Sequence, residues 1–169
     1  MKNIEIKVKV NSFDNIIKSL EELGASYKGR IKQVDTYYNC QSGRLKIREI
    51  NNKQAELIYY QRPNKKSSKI SQYGLIRLDT KMLPNYKNIF KKSLGEKVIV
   101  KKIRKLWIYQ NTRIHLDRVQ GLGNFIELET VINGHDYRKL QRKHQKIIEA
   151  LQLMRFKVQS KSYSDLILG

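Results

Sequence analysis

Two carboxylates near the end of the chain have the type and spacing of metal ligands. Glu127 and Glu129 alternate with the apolar residues Ile126 and Leu128. Because a β-strand points alternate side chains to the same face, the two carboxylates lie side by side. Carboxylates placed in this way can share a hard cation such as Mg²⁺. The pattern therefore predicts a strand face able to bind a divalent metal.

Ionic side chains alternate with apolar ones along other segments as well. These positions are Glu5, Lys7 and Lys9; Arg44, Lys46 and Arg48; Lys102 and Arg104; and Arg113, His115 and Asp117. Guanidinium and ammonium groups match the oxygens of a polyphosphate. Acids for a metal and bases for phosphates form a coherent pairing, which favours a metal-bound triphosphate as the ligand.

Two arrangements of these strands are compatible with the alternation. In an open antiparallel sheet the ionic side faces bulk water, and its charges carry little functional meaning. In a closed barrel the ionic side faces inward and the apolar side packs against helices. The enclosed charges would then need acidic neighbours, water or a polyanion to neutralise them. Periodicity alone leaves both arrangements open.

Strand and helix patterns follow one another without an internal boundary, so we expect a single domain over residues 1–169. Alternation predicts strands over 4–10, 30–39, 44–50, 55–62, 72–78, 97–109, 112–119 and 124–132. Apolar spacing and end signals predict helices between Ser12 and Gly24, over 81–94 and from Asp136, with a short last element over 162–168. The polar segment 63–71 is predicted to be a mobile loop over one end of the barrel.

The 169 residues carry a formal net charge of +20. Nucleic acid, an acidic membrane surface or a phosphate-rich small molecule would suit this charge, and so would a solvated surface without any partner. The single Cys40 cannot form an internal disulfide, and the first residues alternate instead of forming an apolar run. We therefore expect a cytoplasmic protein. No stretch approaches the roughly 20 consecutive apolar residues of a membrane span, so a soluble protein is expected.

The ionic segments resemble the CYTH superfamily, the triphosphate tunnel metalloenzymes, and come closest to class IV adenylyl cyclase-like proteins. Residues 3–9, with sequence NIEIKVK, are similar to the family's signature strand, Glu-x-Glu-x-Lys. Further similar segments follow in chain order at 33–37, 43–49, 57–63, 100–104, 113–117, 121–129 and 162–166. The resemblance therefore spans nearly the whole chain.

The resemblance implies an α+β fold: an eight-stranded antiparallel β-barrel, the triphosphate tunnel, with helices packed outside. It implies that Mg²⁺ or Mn²⁺ is held by Glu5, Asp117, Glu127 and Glu129. It also implies that the triphosphate is bound by Lys9, Lys46, Arg48, Arg62, Lys102, Arg104 and Arg113. At Arg62 the family often has its Lys one position earlier. The residues expected to take part in catalysis are Glu5, Lys7, Glu127 and Glu129.

Lys7 departs from the signature strand, because it stands where the family has its second Glu. A Lys can offset phosphate charge as a cation does, but it cannot coordinate a metal or activate bound water. Class IV-like members often carry this Glu-x-Lys-x-Lys form, so we interpret Lys7 as a subgroup trait. The number of bound metals stays open.

Three functions are compatible with the resemblance. The first is an adenylyl cyclase-like conversion of ATP to cyclic AMP and pyrophosphate. The second is hydrolysis of inorganic, thiamine or nucleoside triphosphate by a triphosphatase. The third is a non-catalytic binder of polyphosphate, nucleotide or RNA. Nucleic acid is disfavoured because no RNA-binding aromatic motif is present. We expect a monomer or homodimer, and His115 is interpreted as a spacer in the tunnel wall in preference to a base.

Overall fold

The computed structural model describes residues 2–61, 68–132, 134 and 136–169. Within them, eight antiparallel strands close into a barrel in the order β1-β5-β4-β3-β2-β6-β7-β8. The strands are β1 Lys2–Val10, β2 Ser26–Tyr38, β3 Arg44–Ile50, β4 Gln54–Gln61, β5 Lys69–Leu78, β6 Glu96–Tyr109, β7 Thr112–Val119 and β8 Gly123–Val131. Closure confirms the barrel and removes the open-sheet alternative.

The helices lie outside the strands. They are α1 Asp14–Glu22, α2 Leu83–Leu94, α3 Tyr137–Ala150 and α4 Tyr163–Leu168, with 3₁₀ turns at Thr80–Met82 and Leu153–Arg155. The helix predicted over 81–94 therefore begins at Leu83, because Asp79 caps the preceding 3₁₀ turn by accepting a hydrogen bond from the Lys81 N–H. None of the helices in the described part of the chain is long and apolar enough to cross a membrane.

The main hydrophobic core lies between the outer face of the barrel and helices α1 and α3. Ile6 and Val8 of β1 are buried against Leu20 of α1 and Ile148 of α3. Full burial of each such side chain contributes roughly 1.5–3 kcal/mol, so the apolar side of the alternation holds the helices in place. The ionic side is thereby turned toward the barrel interior.

A smaller apolar cluster fills one end of the barrel interior. Its buried members are Tyr37, Val100, Val119, Phe125 and Tyr163. The Tyr163 ring packs edge-on against Phe125, with the ring centroids 5.0 Å apart. Helix α4 is held there by a capping box, in which Ser162 and Asp165 satisfy each other's backbone N–H groups. The interior cavity therefore lies beyond this cluster, toward the middle of the barrel.

The start of β5 differs from the sequence prediction. Lys69, Ile70 and Ser71, predicted as loop, belong to β5, where Ser71 pairs with Asn3 and Ile70 with Ile4. The segment lacks the apolar alternation of a strand, but β1 needs a partner on this side for the barrel to close. Residues 63–67 of the predicted loop, and Arg62, lie outside the described residues, whereas Ser68 is described and precedes β5.

Candidate active site

An interior cavity of about 400 Å³ brings most of the predicted site residues together. Strands on opposite sides of the barrel wall line it. Its ionic lining residues are Glu5, Lys7, Lys46, Arg48, Glu56, Lys102, Arg104, Arg113, His115, Glu127 and Glu129. Acids and bases from strands far apart in sequence therefore share one cavity.

The strand register aligns the acidic side of the cavity in two rows across β7, β8 and β1. In the first row, His115 pairs with Glu127, and Glu127 pairs with Lys7. In the second row, Arg113 pairs with Glu129, and Glu129 pairs with Glu5. Directly opposed positions in an antiparallel pair lie close enough for their side chains to interact. Each of the two β8 carboxylates is thus placed between side chains of both neighbouring strands.

Glu127 contacts a different cation with each of its oxygens. Lys7 Nζ lies 3.2 Å from Oε1, and Arg104 Nη2 lies 2.9 Å from Oε2. Lys7 also donates a hydrogen bond to the Lys161 carbonyl at 3.3 Å and lies 4.0 Å from the centre of the Tyr163 ring. The ammonium group of Lys7 therefore occupies the position beside Glu127 where the family's second signature carboxylate would stand.

Asp117 lies at the base of the cavity and is fully buried. Arg104 donates to both of its oxygens, at 2.7 and 2.6 Å, and the Tyr163 hydroxyl donates to Oδ2 at 2.9 Å. Burial opposes ionisation of Asp117, but the charge and hydrogen bonds of Arg104 outweigh it and lower the pKa of this carboxyl. The same bidentate pairing holds the pKa of Arg104 well above its usual value despite burial.

Asp35 holds a second ionic cluster on β2. Arg48 donates to both of its oxygens at 2.7 and 2.8 Å, Lys46 donates at 2.8 Å, and Lys102 Nζ lies at 3.5 Å. Burial penalises the Asp35 carboxylate, yet the charges of Arg48 and Lys46 keep its pKa well below the usual value. One buried carboxylate thus gathers three of the predicted phosphate-binding cations.

The two lysines of this cluster have weakened proton affinity. Burial, followed by the neighbouring charge of Arg48, lowers the pKa of Lys46 to about 7. Burial also lowers the pKa of Lys102 to about 8, and Arg104 adds to the effect against the opposing charge of Asp35. Both ammonium groups would gain from a polyanion in the cavity, because its charge favours their protonated form.

The cavity wall formed by β4 and β5 is largely apolar. Ile58 pairs with Leu75 and Tyr60 pairs with Tyr73 across these strands, and all of them line the cavity. The Tyr60 hydroxyl lies 3.3 Å from that of Tyr37, which also receives a hydrogen bond from Lys46. An ionic side and an apolar side thus face the same space, which suits a ligand with a charged part and an organic part.

Most of the described residues predicted for the site line the cavity, and two of them, Asp117 and Lys9, do not. Asp117 is present but lies beneath the cavity lining, held by Arg104 and Tyr163. Lys9 is exposed at the end of β1, with Nζ 5.8 Å from the centre of the Phe125 ring, and does not reach the cavity. Arg62 lies outside the described residues.

Sequence reasoning gave no role to three residues that shape the site. Asp35 lies in a segment similar to the family and alternates with Tyr37, so its inward direction was readable, but its three partners were not. Tyr163 comes from the C-terminal helix, which no strand pattern connects to the barrel interior. His115 was interpreted as a spacer, although its side chain is buried beside the carboxylates of β8.

His115, Glu127 and Glu129 form a group able to hold a metal ion, with one ligand atom from each lying within 4.8 Å of the others. Burial, followed by the charge of Arg104, lowers the pKa of His115 to about 4, so the imidazole is neutral at neutral pH. Neutral imidazole and carboxylate are both metal ligands. These residues therefore fit the divalent metal that the family resemblance implies.

The cations and the carboxylates in and beneath the cavity balance one another in number. The cations are Lys7, Lys46, Arg48, Lys102, Arg104 and Arg113. The carboxylates are Glu5, Glu56, Glu127 and Glu129 in the lining and Asp35 and Asp117 beneath it. The net charge of +20 is therefore carried by other residues of the chain, and it is not evidence for the cavity's ligand.

The sequence and the fold both match known proteins. The profile of the CYTH domain matches residues 1–163. The chain belongs to the CYTH domain family. It is 28% identical to a candidate adenylate cyclase of Methanocaldococcus jannaschii, with 98% of each chain covered. The CYTH barrel also superposes on a protein of Pyrococcus horikoshii OT3 with a TM-score of 0.82 and 24% identity, covering 97% of this chain and 98% of that one.

A second solved CYTH-like barrel comes from Hippeastrum, a protein described as a candidate adenylyl cyclase with a dominant triphosphatase activity. It superposes with a TM-score of 0.65 and 13% identity, covering 98% of this chain and 94% of the other. At these identities the two structural matches speak for the shared fold. They agree with the closed eight-stranded CYTH barrel described above.

Proposed function

We propose that this CYTH domain binds an organic triphosphate together with a divalent metal, and that it converts ATP to cyclic AMP and pyrophosphate as class IV adenylyl cyclases do. The observation that carries the proposal is the convergence of Glu127, Glu129, Arg48 and Lys102 on one interior cavity. The similarity to a candidate adenylate cyclase along nearly the whole chain supports the same activity.

The cations around Asp35 are suited to the phosphates. Lys46, Arg48 and Lys102 are already gathered and desolvated, so little further ordering is needed when phosphate oxygens approach them. Arg groups bind such oxygens with two parallel N–H donors, while Lys acts as a compact charge. These residues would offset the charge that builds up on the departing pyrophosphate.

The carboxylates of β8 are suited to the metal. Glu127 and Glu129, with Glu5 across from Glu129, would hold Mg²⁺ or Mn²⁺, which when bound supplies Lewis-acid polarisation of a phosphoryl oxygen. In the cyclase reaction the ribose 3′-oxygen forms a bond to the α-phosphorus and the bond to pyrophosphate breaks. The hydroxyl proton passes to a carboxylate of the cavity, so the atoms and charges balance.

The apolar wall favours an organic triphosphate over inorganic tripolyphosphate. Ile58, Leu75, Tyr60 and Tyr73 offer no charge to a phosphate, but they can cover a sugar or a base. An inorganic chain would leave this wall in contact with water. The wall therefore supports a nucleotide as substrate.

Triphosphatase activity is the second candidate, because the same acids and bases could direct water to the γ-phosphorus. The activity described for the Hippeastrum protein with the same fold supports it. A single incubation separates the two reactions: the protein is given ATP with Mg²⁺ or Mn²⁺, and cyclic AMP and free phosphate are quantified by chromatography. Cyclic AMP with pyrophosphate supports the cyclase, whereas free phosphate without cyclic AMP would replace it by the triphosphatase.

The carboxylates also distinguish an enzyme from a passive binder. We expect Glu127→Gln and Glu129→Gln to abolish turnover of ATP while leaving electrostatic binding of tripolyphosphate largely intact. Glu149→Gln is the matched control, because Glu149 is exposed on α3, away from the cavity. A protein that turns over neither ATP nor tripolyphosphate, but binds both, would be a non-catalytic binder.

A further inference from the structure

His115 has a buried ring nitrogen that the fold itself leaves without a partner. The residue is only 4% exposed, and Nδ1 makes no hydrogen bond to any of the described residues. Glu129 Oε1 lies 3.8 Å from this nitrogen, which is too far for a hydrogen bond. Buried polar atoms are nearly always satisfied, so an unsatisfied one beside a cavity points to a missing ligand.

The surroundings of the His115 ring are those of a metal site. The ring lines the same cavity as the β8 carboxylates, and its ligand atom lies within 4.8 Å of theirs. His115 and Glu127 are directly opposed across β7 and β8, and Glu129 is the next residue of β8 on the same face. The donors come from two paired strands, whose register fixes their mutual positions.

The nearby cations offset part of the negative charge that a metal bound only by carboxylates would depend on. Lys7 and Arg104 contact Glu127, and Arg113 donates to Glu129 Oε2 at 3.2 and 3.0 Å. Mg²⁺ binds proteins through carboxylate oxygens and retained water, so its affinity depends on the charge that these cations offset. A neutral nitrogen ligand adds affinity without adding charge, and imidazole suits transition metals.

We propose that His115 is a direct ligand of the divalent metal together with Glu127 and Glu129, and that this nitrogen and oxygen donor set makes the site select Mn²⁺ over Mg²⁺. The inference rests on the proposed metal-dependent function and specifies its cofactor. It gives His115 a role in binding the metal in place of the wall spacer expected from the sequence.

Pulsed electron paramagnetic resonance on the full chain tests the ligand directly. Mn²⁺ is added alone, without nucleotide, and the spectrum is searched for coupling between the electron spin and an imidazole ¹⁴N nucleus. We expect this coupling in the unmodified protein and its loss in His115→Gln. The unmodified protein alone decides whether nitrogen is bound, so the test does not depend on the folding of a variant.

Affinity measurements test the selectivity. Titration with Mn²⁺, followed by competition with Mg²⁺, should give tighter binding of Mn²⁺, and His115→Gln should weaken Mn²⁺ binding by about tenfold or more while changing Mg²⁺ binding less. His144→Gln is the matched control: His144 is also buried, but it lies on α3 and hydrogen-bonds Thr130 outside the cavity. It should keep both the ¹⁴N coupling and the preference.

The outcomes separate this inference from the proposed function. If Mn²⁺ binding depends on Glu127 and Glu129 but the spectrum shows no ¹⁴N coupling, His115 is not a ligand. The proposal of a metal-dependent enzyme would still stand. Equal affinity of the unmodified protein for the two metals would overturn the selectivity. If the protein binds no Mn²⁺ at all, the inference fails, and the assay of cyclic AMP and phosphate judges the enzyme reaction independently.

Discussion

Lys7 and Glu127 stand directly opposite each other on β1 and β8, with Nζ 3.2 Å from Oε1. The pair places a fixed positive charge inside the acidic half of the cavity, where the family signature would place another carboxylate. Because an ammonium group cannot coordinate a metal, this relationship limits the proposed metal ligands to the neighbouring acids and His115.

Replacing Lys7 by Glu should make the cavity depend on metal for its stability. The change removes one of the two cations that contact Glu127 and sets a buried like charge beside it, so we expect a loss of roughly 3–5 kcal/mol in the free energy of unfolding without metal. Mn²⁺ should raise the melting temperature more in this variant than in the unmodified protein. Lys9→Glu, on the same strand face but exposed, is the control and should show neither effect. Equal losses of stability and equal stabilisation by Mn²⁺ in the two variants would contradict a special role of the Lys7–Glu127 pair beside the metal.

Asp35→Asn should destabilise the empty protein and increase its response to a polyanion. The carboxylate balances Lys46, Arg48 and Lys102, and its loss leaves buried charge uncompensated, which costs about 3–5 kcal/mol. Chemical denaturation measures the loss, and tripolyphosphate should restore more stability to this variant than to the unmodified protein. Asp14→Asn, at an exposed helix start, serves as the control. A variant that tripolyphosphate fails to stabilise would exclude these cations as the phosphate site.

The apolar wall should determine affinity for the organic part of the substrate. Ile58→Ser and Leu75→Ser each remove apolar contact worth about 1.5 kcal/mol or more, so ATP binding should weaken by about tenfold. Tripolyphosphate binding, measured by calorimetry, should be unchanged. Ile76→Ser is the control, since Ile76 neighbours Leu75 but is 62% exposed and does not line the cavity. Equal losses of affinity for ATP and tripolyphosphate would mean that the substitutions disturb the fold and do not remove contacts with the nucleotide's base or sugar.

Stability should fall as the pH is lowered from about 6.5 toward 4, partly because of His144. Burial lowers the pKa of His144 to about 4 in the folded protein, while the unfolded chain keeps its ordinary value of 6.5. The unfolded state therefore binds the proton first, and up to about 3 kcal/mol of stability is lost across this window. Urea unfolding at a series of pH values measures how steeply the free energy of unfolding changes with pH, and His144→Gln should reduce that slope. His115 adds a similar slope in the metal-free protein.

A slope that is identical with and without His144 would show that other groups carry the acid sensitivity. Carboxylates with lowered pKa, such as Asp35 and Asp117, act only at lower pH. Their stabilisation is present above the ordinary carboxylate pKa and is lost below it. The two windows can therefore be told apart.

Much of the site was readable from alternation, because a strand fixes the side to which each side chain points. That rule correctly grouped Glu127 with Glu129 and Lys46 with Arg48 on the inner face. It placed Lys9 on the same face as Lys7, but it did not predict how deep in the barrel Lys9 lies. Lys9 lies past Phe125 at the end of the barrel and is exposed. The period of the alternation predicts the side to which a side chain points, whereas its position along the barrel axis depends on the strand register.

The sequence by itself predicted the eight strands apart from some of their ends, and the ionic side of several of them, because local backbone geometry and side-chain alternation carry that information. The resemblance of its motifs also indicated the family to which the chain belongs. Only the tertiary structure decided that Asp35 gathers three cations, that Tyr163 reaches Asp117, and that His115 has an unsatisfied nitrogen beside two carboxylates. These contacts join strands and helices that are far apart in sequence, so they follow from the closure and register of the barrel.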